Sequence, residues 1–147
     1  ERIDDYVFCE CAMLREVTFP SGSQLRSIGQ RAFKRTGLLT FCAPPLLETI
    51  GEGAFAMCKD LRSVTLNDGL RVVGKWGFAI SGLIEVTFPA SVVEIREDAF
   101  FKCRALQRVS FAPGSCLASV GPGAFHMTAL QGLELPEWAA DDAEAAL

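Results

Sequence analysis

The chain is 147 residues long, half of it hydrophobic and 22% charged, with 14 Lys and Arg against 18 Asp and Glu. That is enough chain for one domain with a core, and too much hydrophobicity for disorder. It lacks the ~20 unbroken apolar residues of a bilayer-spanning helix, the clustered Lys and Arg that nucleic-acid phosphates require, and, with His126 its one histidine, any multi-histidine metal site.

The charge is unevenly placed. Glu137, Asp141, Asp142 and Glu144 stand in residues 137–147 with no Lys or Arg; setting them aside leaves 14 acidic and 14 basic residues in 1–136. The body is neutral, so it is not expected to steer charged ligands over distance.

In chain order the dominant signal is a repeat, the pattern to test before any other. Phe8, Phe33, Phe55, Phe78, Phe100 and Phe125 are separated by 25, 22, 23, 22 and 25 residues. Each stands five residues after an apolar one: Ile3, Ile28, Ile50, Val73, Ile95 and Val120. Gly29, Gly51, Gly74 and Gly121 follow four of these, and a small residue precedes each of the last five phenylalanines. Three residues after each Phe come Cys11, Thr36, Cys58, Ser81, Cys103 and Thr128. Then an apolar triplet recurs, from Leu14/Val17/Phe19 to Leu130/Leu133/Leu135, closed by Pro20, Pro44, Pro89 and Pro136 in four of the repeats.

Each part has a physical reading. The V-x-L pair alternates inward and outward, as a strand with one buried face does. One short strand needs a neighbour, so stacked repeats predict a parallel sheet with rungs about 4.8 Å apart. Proline ends each strand because it lacks an N–H for the ladder. The glycine after the Ile suits a tight turn or a positive φ. The A-F-x-x-C stretch predicts one helical or 3₁₀ turn with Phe inward, giving a spine of six rings, each contributing about 1.5–3 kcal/mol by burial. No repeat buries its own apolar face, so stability comes from neighbours.

The unit, clearest in Leu47–Asn67 (LETIGEGAFAMCKDLRSVTLN) and in Val92–Phe111, resembles the BspA-like class of leucine-rich repeats from residue 3 to about 136. The resemblance implies a curved α/β leucine-rich-repeat solenoid, here of about six 22–25-residue coils, with a parallel sheet on the concave side. It also implies proteins that bind other proteins or surfaces, as scaffold or adhesion modules, with no catalytic motif to carry over. The second repeat departs most, with Cys42, Ala43 and the Pro44–Pro45 pair where a clean strand is expected, so an irregular rung is predicted there.

The cysteines read as structural. Cys11, Cys58 and Cys103 alternate with Thr36, Ser81 and Thr128 in one slot. Alternate rungs lie about 10 Å apart, beyond the ~7 Å Cα limit of a disulfide. These residues are expected as small buried groups with a weak hydrogen bond to nearby backbone. Cys9, Cys42 and Cys116 fall in unrelated slots. All six thiols are expected free, which fits a reducing compartment. Cys9-x-Cys11 lacks the partner pair and histidine of a zinc site, so no metal is expected.

Binding is expected on the outward faces. Between the inward pair stand Thr18, Cys42, Thr65, Thr87, Ser110 and Glu134, a row that β-propensity explains. One step earlier stand Glu16, Thr40, Ser63, Glu85, Arg108 and Gly132. Leu39 and Ile84 occupy the place of Arg15, Arg62 and Gln107, in the shortened repeats T-G-L-L and S-G-L-I. They form either an outward apolar contact patch or a pair buried by a local register shift. The candidate partner-binding residues are therefore Glu16, Leu39, Thr40, Ser63, Ile84, Glu85 and Arg108, and the first repeat's edge is a further candidate surface.

An enzyme is not expected. His126 sits in a variable slot read as surface, and Gly121-Pro122-Gly123 lacks the lysine and spacing of a phosphate loop. The expected function is non-enzymatic protein–protein interaction; the alternative is a fixed accessory subunit of a larger assembly. In either case the partner is one or more proteins, with no nucleic acid, cofactor or membrane span.

The ends complete the expectation. The chain opens at Glu1, inside a repeat and without an initiator Met or apolar signal-type segment, so a processed chain, a fragment or the ordered part of something longer is expected. The first repeat's edge strand needs cover. Residues 137–147, Ala-rich with early acids, predict a short capping helix starting near Pro136, with Trp138 over the last rung.

Overall fold

The computed structural model describes residues 1–136 and 143–147. The predicted start of a helix near Pro136 and the placement of Trp138 fall partly or wholly on residues outside these.

The chain winds as a stack of parallel coils, each carrying one phenylalanine of the repeat. At the Ile slot every coil contributes a two-residue strand: β1 (Arg2–Ile3), β2 (Ser27–Ile28), β4 (Thr49–Ile50), β6 (Val72–Val73), β8 (Glu94–Ile95) and β10 (Ser119–Val120). Together they form one six-stranded parallel sheet, with Ile28 opposite Ile50 and Val73 opposite Ile95. A second wall comes from the V-x-L segments. It contains β3 (Thr40–Cys42) paired with β5 (Ser63–Thr65), and β7 (Glu85–Phe88) paired with β9 (Arg108–Phe111), all parallel. The expected parallel sheet is thus present on two walls, the more continuous of which is the Ile wall.

The irregular rung predicted for the second coil is not found. Thr40, Phe41 and Cys42 lie opposite Ser63, Val64 and Thr65, because Pro44 and Pro45 fall beyond the last residue that the ladder needs. Asn67 takes the proline slot in the third coil, and its Nδ2 donates to the Pro45 and Leu47 carbonyls at 3.1 and 2.9 Å, tying two coils together.

The third wall is built of turns rather than helix; the described helix is α1 (Ala143–Ala146) alone. In the third coil the Ala54, Ala56 and Cys58 amides donate back to Gly51, Gly53 and Phe55 at 3.2, 3.0 and 3.3 Å. The intervening amides of Gly53, Phe55 and Met57 donate forward to the next coil, to Lys75, Gly77 and Ala79 at 2.8, 2.7 and 2.7 Å. Gly53 and Met57 have φ of 59° and 61°, as the third residue of a type II turn requires. The same left-handed residues flank every phenylalanine of the repeat, from Tyr6 and Glu10 to Gly123 and Met127.

The glycine after the Ile slot has a different cause from the expected positive φ. Gly51 and Gly74 lie so close to the preceding coil that a Cβ would stand 2.6 Å from the Ile28 carbonyl oxygen or 2.7 Å from that of Ile50. Close coil approach, not turn conformation, selects glycine there.

Inside the walls runs the phenylalanine spine. Phe8, Phe33, Phe55, Phe78, Phe100 and Phe125 stack with centroids 5.2, 5.2, 5.1, 5.3 and 5.3 Å apart, planes within 14°. From Phe33 onward each ring is fully buried. Phe41 and Phe88, on the strand wall, pack against Phe55 and Phe100.

Coil length alternates. Coils 1, 3 and 5 are long, with Cys11, Cys58 and Cys103 three residues ahead of the inward leucine; coils 2, 4 and 6 are short, with Thr36, Ser81 and Thr128 two residues ahead. Each strand ladder of the V-x-L wall joins a short coil to the long coil after it, β3 to β5 and β7 to β9. Between β5 and β7, where a long coil precedes a short one, no ladder forms.

Candidate functional site: the strand wall

The short-to-long junctions explain the Cys slot. Cys58 Sγ donates to the Phe33 carbonyl at 3.0 Å and lies 3.3 Å from Thr36 Oγ1, which donates to the same carbonyl at 2.9 Å. Cys103 repeats this with Phe78 at 3.1 Å and Ser81 at 3.2 Å. Burial pushes both thiols up, outweighing hydrogen bonds from Thr36 and Ser81 that pull them down. Such thiols are poor nucleophiles. All six cysteines are unpaired, but Cys11, in the first coil described, departs from its expected burial and is exposed.

The V-x-L wall places the predicted site residues as follows. Glu16, Leu39, Thr40, Ser63, Ile84, Glu85 and Arg108 are all exposed. Thr40 lies opposite Ser63, and Glu85 opposite Arg108. Arg108 Nε donates to Glu85 Oε2 at 3.1 Å. Glu16 lies outside the ladders, in the first coil. Beside this row, Thr87 and Ser110 hydroxyls meet at 2.9 Å.

The open question over Leu39 and Ile84 resolves toward solvent: they are 49% and 42% exposed. They stand on one column at the entry to β3 and β7. Arg62 N donates to the Leu39 carbonyl at 2.9 Å, and Ile84 N to the Arg62 carbonyl at 3.4 Å. The arginines of this column fold sideways: Arg15 and Arg62 Nη1 donate to the Gly37 and Gly82 carbonyls, each at 3.2 Å. Gly37 and Gly82 leave room for these bonds, since a Cβ at either would meet the preceding coil's backbone oxygen at 2.3 Å and the arginine Nη1 at 2.8 or 2.5 Å.

Sequence reasoning missed two features. One is the open groove of about 400 Å³ beside β9, lined by Glu85, Thr87, Gln107, Arg108, Ser110 and Glu134; the outward row already named most of these residues, but not that coil 6 leaves the groove open. The other is a cluster on the turn wall. Lys75 Nζ lies 4.5 Å from the Trp76 ring centre and 2.9 Å from Glu97, whose hydrogen bond raises the lysine's pKa. Trp76 Nε1 donates to Asp98 at 3.2 Å. His126 is exposed, as expected, with Nδ1 2.7 Å from the Leu147 carbonyl oxygen. Among the described residues no group of His, Cys, Asp and Glu is placed to hold a metal, and no helix is long and apolar enough to cross a membrane.

Parallel walls, a stacked aromatic spine and a one-coil hydrogen-bond period define the class: a leucine-rich-repeat solenoid. Within that class the chain belongs to the BspA-type leucine-rich repeat family, whose model matches in six copies over residues 1–106 and 26–141. The fold matches the crystal structure of a leucine-rich repeat protein from Bacteroides ovatus at 27% identity and a TM-score of 0.84, covering 95% of this chain and 36% of that one. A leucine-rich repeat protein of T. pallidum matches at 23% identity and a TM-score of 0.67, over 99% of this chain and 76% of that one. A leucine-rich cell surface protein of Faecalibacterium prausnitzii matches at 20% identity and a TM-score of 0.58, over 91% and 64%. The chain thus spans about a third of the Bacteroides protein's length. No curated protein matches it.

Proposed function

We propose that the chain is a non-enzymatic protein-binding module of scaffold or adhesion type whose partner lies on the V-x-L strand wall. The observation that carries this reading is the Leu39/Ile84 column, two large apolar side chains 49% and 42% exposed on a backbone held by neighbouring coils. Rigid apolar side chains with a polar surround are the anatomy of a protein interface. Thr40, Ser63, Glu85 and Arg108 supply the surround, and Glu16 extends it to the first coil. The Glu85–Arg108 pair is exposed and contributes little to stability; its use is orientation of a partner.

The test is a photo-crosslinker placed at Leu39 or Ile84, and separately at Lys34 or Phe101 on the turn wall, exposed to extract of the native source. Capture of one protein from both strand-wall positions, lost in the Leu39→Glu/Ile84→Glu chain, is expected. Equal capture from Lys34 or Phe101 contradicts the reading.

A further inference from the structure

Alternating coil length leaves a trough over each of the short coils 2 and 4, at the corner between the turn wall and the strand wall. Coil 2 passes from Thr36 to Leu38 through Gly37 alone, and coil 4 from Ser81 to Leu83 through Gly82 alone, whereas the long coils 3 and 5 add Asp60 and Ala105 at the same place. An arginine of the preceding coil reaches into each trough in the same way. Arg15 Nη1 donates to the Gly37 carbonyl and Arg62 Nη1 to the Gly82 carbonyl, each at 3.2 Å. From there the two differ. Arg15 Nη1 also meets Asp60 Oδ2 at 3.1 Å, an ion pair that bridges the first trough. In coil 5 the slot of Asp60 holds Ala105, and the second trough is an open groove of about 360 Å³.

The cations around this groove are unmatched. Lys59 and Arg62 line one side and Lys102 and Arg104 the other, with no Asp or Glu in the lining. Asp60, next to Lys59 in sequence, is turned to Arg15. Lys102 Nζ lies 4.9 Å from the Phe101 ring centre, which leaves its charge uncompensated. Among the described residues none of the four makes an ion pair. The fold thus gathers from positions 59–62 and 102–104 a local positive charge that the balanced total of residues 1–136 hides.

We infer that the trough over coil 4 takes an acidic segment of a protein partner, with one carboxylate against Arg62 where Asp60 stands against Arg15. A guanidinium presents five N–H donors and suits a carboxylate, and the chain itself makes that pairing one trough earlier. One exposed ion pair contributes little, so the segment carries several acids, enough to meet Lys59, Lys102 and Arg104 as well. Ile84 N donates to the Arg62 carbonyl, so a partner seated on the apolar column reaches the trough directly. The inference rests on the strand-wall reading for where the partner lies and adds the partner's charge.

The test uses the full chain and a fluorescein-labelled hexa-aspartate peptide, followed by anisotropy at about 20 mM salt, where screening is weak. Binding is expected, with none for a hexa-asparagine peptide. Ala105→Asp supplies the carboxylate from within and keeps all four cations; it is expected to weaken peptide binding about tenfold. Ala118→Asp, at an exposed position outside the lining, makes the same change in net charge and is expected to leave binding unaltered. Lys59→Gln with Arg104→Gln, both at exposed positions, is expected to give a similar loss and decides if Ala105→Asp fails to fold. No binding by the native chain, or equal binding by the Ala105→Asp and Ala118→Asp chains, overturns the inference. So does tighter binding of a heparin fragment of matched charge, which would make this a site for sulfate esters. The two readings fail separately. Capture from Leu39 and Ile84 without peptide binding loses the trough and keeps the strand-wall partner; peptide binding without that capture does the reverse.

Discussion

Phe55 shows how a residue's place in the repeat translates into stability. Its ring is fully buried, 5.2 Å from Phe33, 5.1 Å from Phe78 and 4.5 Å from Phe41. Phe55→Ala removes three ring contacts at once in a coil that has neighbours on both sides, and is expected to cost about 3–5 kcal/mol by denaturant melt; a loss under about 1 kcal/mol contradicts the spine. Cys58 and Cys103 are the second residue-scale test. A thiol reagent on the native chain is expected to modify the exposed Cys11, Cys42 and Cys116 rapidly, and Cys58 and Cys103 only on unfolding. Because burial raises the two folded-state pKa values, the unfolded chain ionises first. Their contribution to stability is therefore present below about pH 8.5 and lost as pH rises through the folded values. Equal modification of all five thiols in the native state contradicts this. The spine and the alternating Cys/Thr slot were legible in the sequence because spacing alone reports them. The cause of the glycine after Ile was not, since a residue chosen for a neighbouring coil's backbone looks the same in sequence as one chosen for its own φ.

At the scale of the element, one residue of coil length decides which strands pair. Thr36-Gly37-Leu38 and Ser81-Gly82-Leu83 are one residue shorter than Cys58-to-Leu61, and the ladders follow that alternation. Gly82 is where the short path presses on the coil before it, so Gly82→Ala is expected to cost about 1–3 kcal/mol through overpacking. A neutral result by thermal or denaturant melt means the short coil has room to spare. Coil 6 carries Ala129 in that slot, and there the amide bonds Leu106 O at 3.0 Å, whereas Gly82 N bonds Cys58 O at 3.3 Å: the path has shifted three residues along the preceding coil. The outward row Thr40, Ser63, Glu85 and Arg108 follows from simple alternation and was legible, whereas the regular strand at Thr40–Cys42 was not, because the Pro44–Pro45 pair reads as a break although it falls beyond the ladder. The split of the V-x-L wall into two ladders, and the turn wall in place of a helical turn, were not. Both depend on bonds between coils, which a single repeat's pattern does not express, and left-handed residues such as Ile80 and Trp76 carry no turn signature of their own.

As a whole the molecule is a short one-dimensional stack, in which the backbone bonds of each coil run to its neighbours and the Arg15–Asp60 pair reaches across one coil. Net charge belongs to residues 137–147 and the rest is balanced, while the exposed ion pairs between coils, such as Lys75–Glu97 and Arg15–Asp60 at 2.9 and 3.1 Å, add little each. Stability rests on the spine and the intercoil bonds. The central claim is that the stack is built of short-to-long units, each with its own strand ladder. Amide hydrogen exchange read residue by residue tests it most directly. Slow exchange is predicted for Phe33, Phe55, Phe78 and Phe100 on the turn wall, and for Ala43 and Ala112, which bond Thr65 O and Phe88 O at the ends of the two ladders; fast exchange is predicted for residues 17–19 and 133–135. Equal protection of all six V-x-L segments would contradict the claim.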